Sequence, residues 1–515
     1  MKSKIQALLK AKREWLFPLI LLFSATATVT AILVFSPSPQ KEPASTVSVT
    51  AQPTESAAET EPVTETAPVT EVQIEYFSHM AYINGHESFF SPDRMLTRGE
   101  AAILVYRLFG ESEDAPSVFI DVAEDGGFYQ EISGAGAWFP TFRANQFQPD
   151  EPILREDLFD AVFHASQYRT FTPEELEVAG ETPYTAFARR LGLMDDDETS
   201  EYVTRGEATH IFNRVAGRTP DEGLLLQSAP VVFADVSPVC PYYADIMEAA
   251  VSHAYYIDEE QEVWGDAAFT QLKKGFYRKD GIAYYVQENG TLLTTPGLQD
   301  IPSGTVFVSN ESGLIFADDR LHLSPDGVVF CRKSGTILKG GSRNGCTFDE
   351  NGIYTSGNDE LDAYVNAVYE ACLTEDMSQL EKLRACYDYV RSFNYLGRNK
   401  PLDDSVKTMD VDLASGYALK LFETGKGDCY NFTAAFLFLA RGLGYDAEAV
   451  VGYCSYFWSQ NAIPHGWVTI TADDGNVYLC DPQLENYNIR AGISNEDFGA
   501  FMTTFDLSHA YYYPN

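Results

Sequence analysis

The most continuous hydrophobic stretch of the C-terminal half is CYNFTAAFLFLARGL, residues 429–443, where apolar positions are hardly interrupted. Gly425, Gly427 and Asp428 precede it, and Gly442 and Gly444 close it. A run of this length between turn residues predicts a buried helix whose first turn begins near Cys429. Upstream, SQLEKLRACYDYV carries Ser378 and Glu381 at capping-box spacing and Leu380, Leu383, Tyr387 and Val390 at helical period. That pattern predicts a scaffold helix. Downstream, PHGWVTITADDGNVYLCDP predicts two strands joined by a turn. Antiparallel pairing about Asp473 sets His465 directly opposite Asp481, on one face and within side-chain reach.

The N-terminal half has a different rhythm. FSPDRMLTRGEAAILVYRLFG (90–110), FQPDEPILREDLFDAVFHAS (147–166) and EYVTRGEATHIFNRVAGR (201–218) each set an arginine and then an acidic residue at the start of an amphipathic helix. FIDVAEDGGFYQEI (119–132) and FADVSPVCPYYADI (233–246) repeat a second motif. Units of roughly 50 residues built as short helix pairs predict a small α-helical array over 74–265. Residues 266–358 instead hold short β runs punctuated by Asn-Gly and Ser-Gly, which predict a small β-rich module, a spacer or a glycan-contacting unit. Its aromatic residues are expected in its core more than on a sugar-stacking surface.

Residues 36–73 are Pro-, Thr- and Glu-rich without an aromatic, and so predict a disordered linker. Before them the chain is uncharged from Trp15 to Phe35, behind a basic segment, 1–14, containing Lys2, Lys4, Lys10, Lys12 and Arg13. That run is long enough for a membrane anchor at 15–35 with the N-terminus inside. A signal peptide cleaved after the small residues at 25–27 is the alternative. Either implies export.

At 515 residues the chain is too long for one core. Lys and Arg total 36 against 75 Asp and Glu, a formal charge of −39. Such a surface disfavours nucleic acid and anionic membrane as general partners. Export would permit disulfides, yet the eight cysteines show no framework spacing, and those other than Cys429 are read as mostly core.

At a helix start, the Cys429 sulfur would lie at the positive end of the helix dipole, which favours a thiolate. With His465 and Asp481 it completes the three parts of a cysteine acyl-transfer site. A zinc site from Cys429, Cys454, His465 and Cys480 lacks any Cys-x-x-Cys pair, so neither metal nor other cofactor is expected.

GKGDCYNFTAAFLFLARGLGYDAEAVVGY, then HGW, then YLCDP, resembles the transglutaminase-like superfamily, with its Gly-x-Cys helix start, His-x-Trp strand and Asp closing the next strand. The resemblance covers roughly residues 359–490 and implies catalytic roles for Cys429, His465 and Asp481. Gly466 stands where the family usually has Ala, and no upstream side chain matches its oxyanion support. The N-terminal repeats resemble S-layer homology modules, with Phe-x-Asp-Val, Phe-x-Pro-Asp and Thr-Arg-x-Glu motifs. That resemblance implies a three-repeat spindle holding pyruvylated secondary cell-wall polysaccharide through Arg98, Arg205 and, with its motif altered by Leu154 and Asp157, Arg155.

The expected fold is therefore multidomain: an α-helical S-layer homology repeat domain at 74–265, a β-rich module at 266–358, and an α+β, papain-like or transglutaminase-like domain at 359–515. The expected protein sits at the wall of a Gram-positive-type bacterium, with N-terminal membrane association. Its C-terminal domain would transamidate or hydrolyse a protein or peptidoglycan-peptide substrate. A wall-tethered binding scaffold without catalysis is the alternative.

Overall fold

The computed structural model describes residues 74–515 except 114–117, 142–144, 167–182, 195–197, 260, 266–268, 398–400, 457–460, 473–474, 506 and 508–509. The basic segment, the apolar span and the linker of the sequence reading lie outside the described residues. Among those described, no helix is long and apolar enough to cross a membrane.

The three arginine motifs each open a helix: Arg98–Phe109, Arg155–Ala165 and Arg205–Val215. Thr97 and Thr204 cap the first and third, accepting from the backbone N–H of Glu100 and Glu207. Leu154 has no side-chain acceptor, so the second helix starts without such a cap. The three starts meet through single β-bridges, Met95 to Thr204, Thr97 to Pro152 and Leu154 to Tyr202. Apolar faces carrying Leu158, Phe159, Ile211 and Phe212 are fully buried between them.

The second motif explains itself here. The Asp121 carboxylate accepts from the backbone N–H groups of Phe147 and Gln148, and Asp235 accepts from those of Phe90 and Ser91, at 2.7–2.9 Å. Each motif aspartate thus pins the loop that precedes one of the capped or bridged helix starts. The helices form a closed triangle, where the periodicity alone suggested an array, because every start has a neighbour on both sides. A three-stranded antiparallel sheet finishes the unit: Phe77–His79, His253–Asp258 and Gln261–Trp264, with Tyr255 paired to both Phe77 and Trp264.

The β-rich stretch contains a five-stranded sheet, in the order Gly275–Lys279, Ile282–Val286, Ile315–Phe316, Gly304–Val308, Gly297–Ile301. A hairpin of Arg320–Ser324 with Gly327–Cys331 and a small sheet over 341–355 follow. Tyr284, Tyr285, Phe307, Phe330 and Phe348 are buried, so these aromatics serve its cores.

In the C-terminal part, Asp359–Cys372, Gln379–Arg391, Val411–Thr424 and Cys429–Gly442 pack as helices against one face of a four-stranded antiparallel sheet. The strand order is Val477–Cys480, Ile463–Thr471, Asp446–Tyr456, Ala510–Pro514. Ser378 and Glu381 form the expected capping box. Every residue from Cys429 to Arg441 is buried, as the unbroken apolar run requires.

The hairpin register departs from the expectation. Val468 pairs with Cys480 and Thr471 with Val477, which centres the turn one residue beyond Asp473. Asp481 therefore stands just past the strand, diagonal to His465 and not directly opposite. The change is two places in register, so both residues keep the same face.

Candidate active site

Cys429 is the first residue of its helix, and Asp428 is the cap. Asp428 and Asn431 form a reciprocal capping box, each side chain accepting from the other's backbone N–H. The fit explains Gly427, where an added Cβ would lie 2.5 Å from the Asn431 Cβ. A short parallel pairing of Asn394–Tyr395 with Lys426–Gly427 fixes the approach. Backbone, cap and glycine together aim the sulfur at the sheet.

His465 faces it from the neighbouring strand. Its Nε2 lies 2.6 Å from Asp481 Oδ2, and the same imidazole is hydrogen-bonded to the Cys429 thiol. With Nε2 engaged, Nδ1 is the ring atom left for sulfur. Cys429, His465 and Asp481 are 2 %, 1 % and 0 % exposed, so their mutual fields are little screened by water. Burial alone would lower the His465 pKa, but the Asp481 charge and the contacts with Asp481 and Cys429 outweigh it and hold the imidazole well above 6.5.

Asp481 is held from four directions. Its Oδ1 accepts from the backbone N–H of Gln483 and Leu484, capping the helix Pro482–Ala491, and its Oδ2 accepts from His465 and from the Tyr512 hydroxyl at 2.9 Å. Burial first, and then the Asp481 charge, push Tyr512 well above its ordinary range and keep it a donor. Tyr387 of the scaffold helix lies 2.8 Å from the Asp481 carbonyl, and Arg384 and Arg391 of that helix pair with buried Glu485 one turn further on. No local sequence signal marks Tyr512. It belongs to a strand far down the chain that reaches the site only through sheet order.

Gly466 also has a physical reason. A Cβ there would lie 3.0 Å from the Tyr430 ring and 3.2 Å from Thr433 Oγ1, both on the cysteine helix. The glycine lets strand and helix approach closely at the His-x-Trp position. The other cysteines are unbridged, and burial pushes Cys454 up to about 11 and Cys480 up to about 12, leaving them protonated neighbours.

Replacing Asp481 by Asn removes the charge that raises His465. The imidazole should then lose its proton at lower pH, which NMR titration of the His465 ring reads directly, and the alkaline limb of any pH–rate profile should move the same way. Because the folded-state pKa is raised, the stabilisation it brings is complete below about 6.5 and fades as pH rises through the folded value. Wild-type thermal stability should therefore decline on that alkaline side more than that of Asp481→Asn.

The motif arginines lie elsewhere and are buried: Arg98 is 2 % exposed, Arg155 5 % and Arg205 6 %. Arg98 Nη1 bonds Asp157 at 2.8 Å, Arg155 pairs with Glu207, and Arg205 Nη1 bonds Glu100 at 2.7 Å. Each guanidinium also donates to backbone carbonyls: Arg98 to Phe147 and Pro140, Arg155 to Ser200 and Tyr202, Arg205 to Phe90 and Asn84. Each helix start thus grips the next, and the third grips the first. Arg205 also borders a cavity of about 210 Å³ that Glu100, Arg107 and Phe128 share.

Residues 366–482 match the transglutaminase-like superfamily, so this part of the chain is a transglutaminase-like domain. Cell surface glycoprotein 1 of Acetivibrio thermocellus is 26 % identical over 211 residues, 36 % of this chain and 9 % of its own length. The chain thus spans under a tenth of that relative. Among solved structures, choline binding protein F of Streptococcus pneumoniae, crystallised with a peptidoglycan analogue, is 16 % identical over 20 % of this chain and 42 % of its own, with a TM-score of 0.13. The periplasmic domain of TgpA from Pseudomonas aeruginosa, bound to ethylmercury, is 20 % identical over 27 % and 54 %, with a TM-score of 0.14. Neither likeness bears on the overall fold.

Proposed function

We propose that this chain is a bacterial surface protein whose transglutaminase-like domain is a cysteine acyltransferase or hydrolase acting on peptide or carboxamide substrates. The observation that carries the reading is the single imidazole bonded at once to Asp481 and to a thiol at a helix start. The Cys429 thiolate attacks the substrate carbonyl carbon, forming the S–C bond of a tetrahedral intermediate at the positive end of the helix dipole. The C–N bond then breaks, and the His465 imidazolium gives its proton to the departing amine or ammonia. An incoming amine or water surrenders a proton to His465 as it attacks the thioester, and the thiolate leaves. Asp481 keeps the ring in place throughout, with Tyr512 and the cap of the following helix fixing the carboxylate itself.

The surface location is favoured by the cell surface glycoprotein relative and by the export signal read at 15–35. In this reading the helical unit is an S-layer homology domain whose clefts hold an anionic, pyruvylated wall polysaccharide. The ion-paired arginines shape those clefts, and beside Arg205 the exposed Arg107, one of whose nitrogens donates to the Tyr82 carbonyl, offers a positive contact. The apolar N-terminal segment would add membrane association.

The deciding experiment incubates the protein with a glutamine-containing peptide, with and without a primary amine, and follows products by mass spectrometry. A mass gain from the amine indicates transamidation, and deamidation or cleavage without it indicates hydrolysis. No product over a panel of such peptides, from folded protein with a free Cys429, would overturn the catalytic reading in favour of a binding scaffold.

A further inference from the structure

Where the first strand of the helical unit meets its last helix, four ionisable side chains converge far from Cys429. His79 comes from the strand Phe77–His79, Glu248 from the helix Tyr243–Ala250, His253 from the next strand and Glu262 from the strand after it. Donor atoms of His79, Glu248 and Glu262 all lie within 4.8 Å of one another. His79 Nδ1 is 3.2 Å from Glu248 Oε1, His79 Nε2 is 3.7 Å from Glu262 Oε1, and His253 Nε2 is 3.1 Å from Glu248 Oε2. The Glu248 and His253 side chains are wholly buried.

His79 and His253 both pair with Glu248, but the contacts are poorly aligned. His79 Nδ1, both Glu248 oxygens and His253 Nε2 are all buried and unsatisfied. His253 Nδ1 lies 2.8 Å from the Val251 carbonyl, an arrangement that puts the ring proton on Nδ1. Nε2 is then the ring atom turned toward the Glu248 carboxylate. Buried polar atoms without a well-directed partner are costly, and a cation among them would satisfy them together. A backbone carbonyl fixing the far nitrogen is also how metal-binding histidines are commonly oriented.

We propose that His79, Glu248, His253 and Glu262 bind one divalent first-row transition metal of the zinc type. Two imidazoles and two carboxylates suit such an ion, whose bonds of about 2.0–2.2 Å require the donors of His79, Glu248 and Glu262, now within 4.8 Å of one another, to draw in and His253 to close from beside Glu248. The charges fit as well. Two carboxylates offset a divalent cation, while Arg218, 3.9 Å from Glu248, sends its hydrogen bond to the Met80 carbonyl. Thr219 N–H donates to the Glu262 oxygen other than the one facing His79. Trp264 stacks on His253 at 3.6 Å and covers the site, which makes it structural: the metal would tie the first strand of the unit to its last helix and strands.

The test uses the full chain, stripped with chelator and titrated with zinc chloride by calorimetry. One equivalent should bind and raise the thermal midpoint of the unfolding step that involves the helical unit. X-ray absorption of the zinc-loaded wild type should give a nitrogen and oxygen shell with imidazole scattering and no sulfur. Glu248→Gln and His253→Gln should each weaken binding by more than the roughly 10–100-fold that loss of an outer partner costs. A sulfur-containing shell, no stoichiometric binding, or undiminished affinity in both variants would overturn the proposal and leave an ion-paired histidine–glutamate cluster. The absorption measurement on wild type decides the matter even if a variant fails to fold.

Discussion

Cys429→Ala should abolish turnover of whichever amide substrate the peptide assay identifies, by on the order of 10⁴-fold or more, while far-UV circular dichroism and the thermal midpoint stay close to wild type. The side chain removed is small, and the capping box that starts the helix belongs to Asp428 and Asn431. His465→Ala should cost about as much alone, and the double variant little more than either, because nucleophile and proton carrier act as one unit. Asp481→Asn should lower turnover by roughly 10³–10⁴-fold. Unlike Cys429→Ala it should also lower stability, by about 3–5 kcal/mol, since an amide nitrogen would face the His465 and Tyr512 donors in a buried site. Additive losses, or full activity in Cys429→Ala, would place the chemistry elsewhere.

The second large effect belongs to the helical triangle. Arg155→Ala leaves Glu207 buried without its partner and is expected to cost about 3–5 kcal/mol. Its location is the sharper test. Hydrogen exchange should accelerate in peptides covering all three helix starts, near residues 98, 155 and 205, because opening one contact of a closed ring releases the other two. Faster exchange confined to 155–165 would mean that the starts are independent. Loss of wall binding in an arginine variant therefore reports fold as well as contact. Arg107→Ala, whose guanidinium stands outside the ring, should reduce pelleting with purified wall while exchange at the three helix starts is unchanged.

The cysteine helix was legible because its signals are local: glycines, a capping aspartate and an unbroken apolar run lie within a few turns of one another. The His465–Asp481 meeting was legible for a weaker reason. The observed register lies two places from the expected one, and only the alternation of side chains across a strand keeps both residues on one face. Tyr512 left no trace, since its strand pairs with Asp446–Tyr456 across more than fifty intervening residues. The repeats announced three helix starts, but periodicity describes an array and a closed ring equally well. Whether the last unit returns to the first depends on Arg205 finding Glu100, which no local pattern records. The His79, Glu248, His253 and Glu262 cluster was invisible for the same reason, with His79 far from its three partners in the chain.

The three-stranded sheet has a mechanical meaning. The chain enters the helical unit at Phe77 and leaves it at Trp264, and Tyr255 is paired to both. An added Cβ at Gly265 would lie 3.0 Å from the Tyr76 ring, so inlet and outlet touch. Tension passing along the chain from residue 74 toward 270 would run straight across this sheet. The helical ring hangs from that line as a pendant and carries none of the load until the strands separate. Both outer strands run antiparallel to His253–Asp258, so the inlet is the N-terminal end of one and the outlet the C-terminal end of the other. The pull would run along the strands and load their rungs together in shear, making the sheet the mechanical clamp of the N-terminal half.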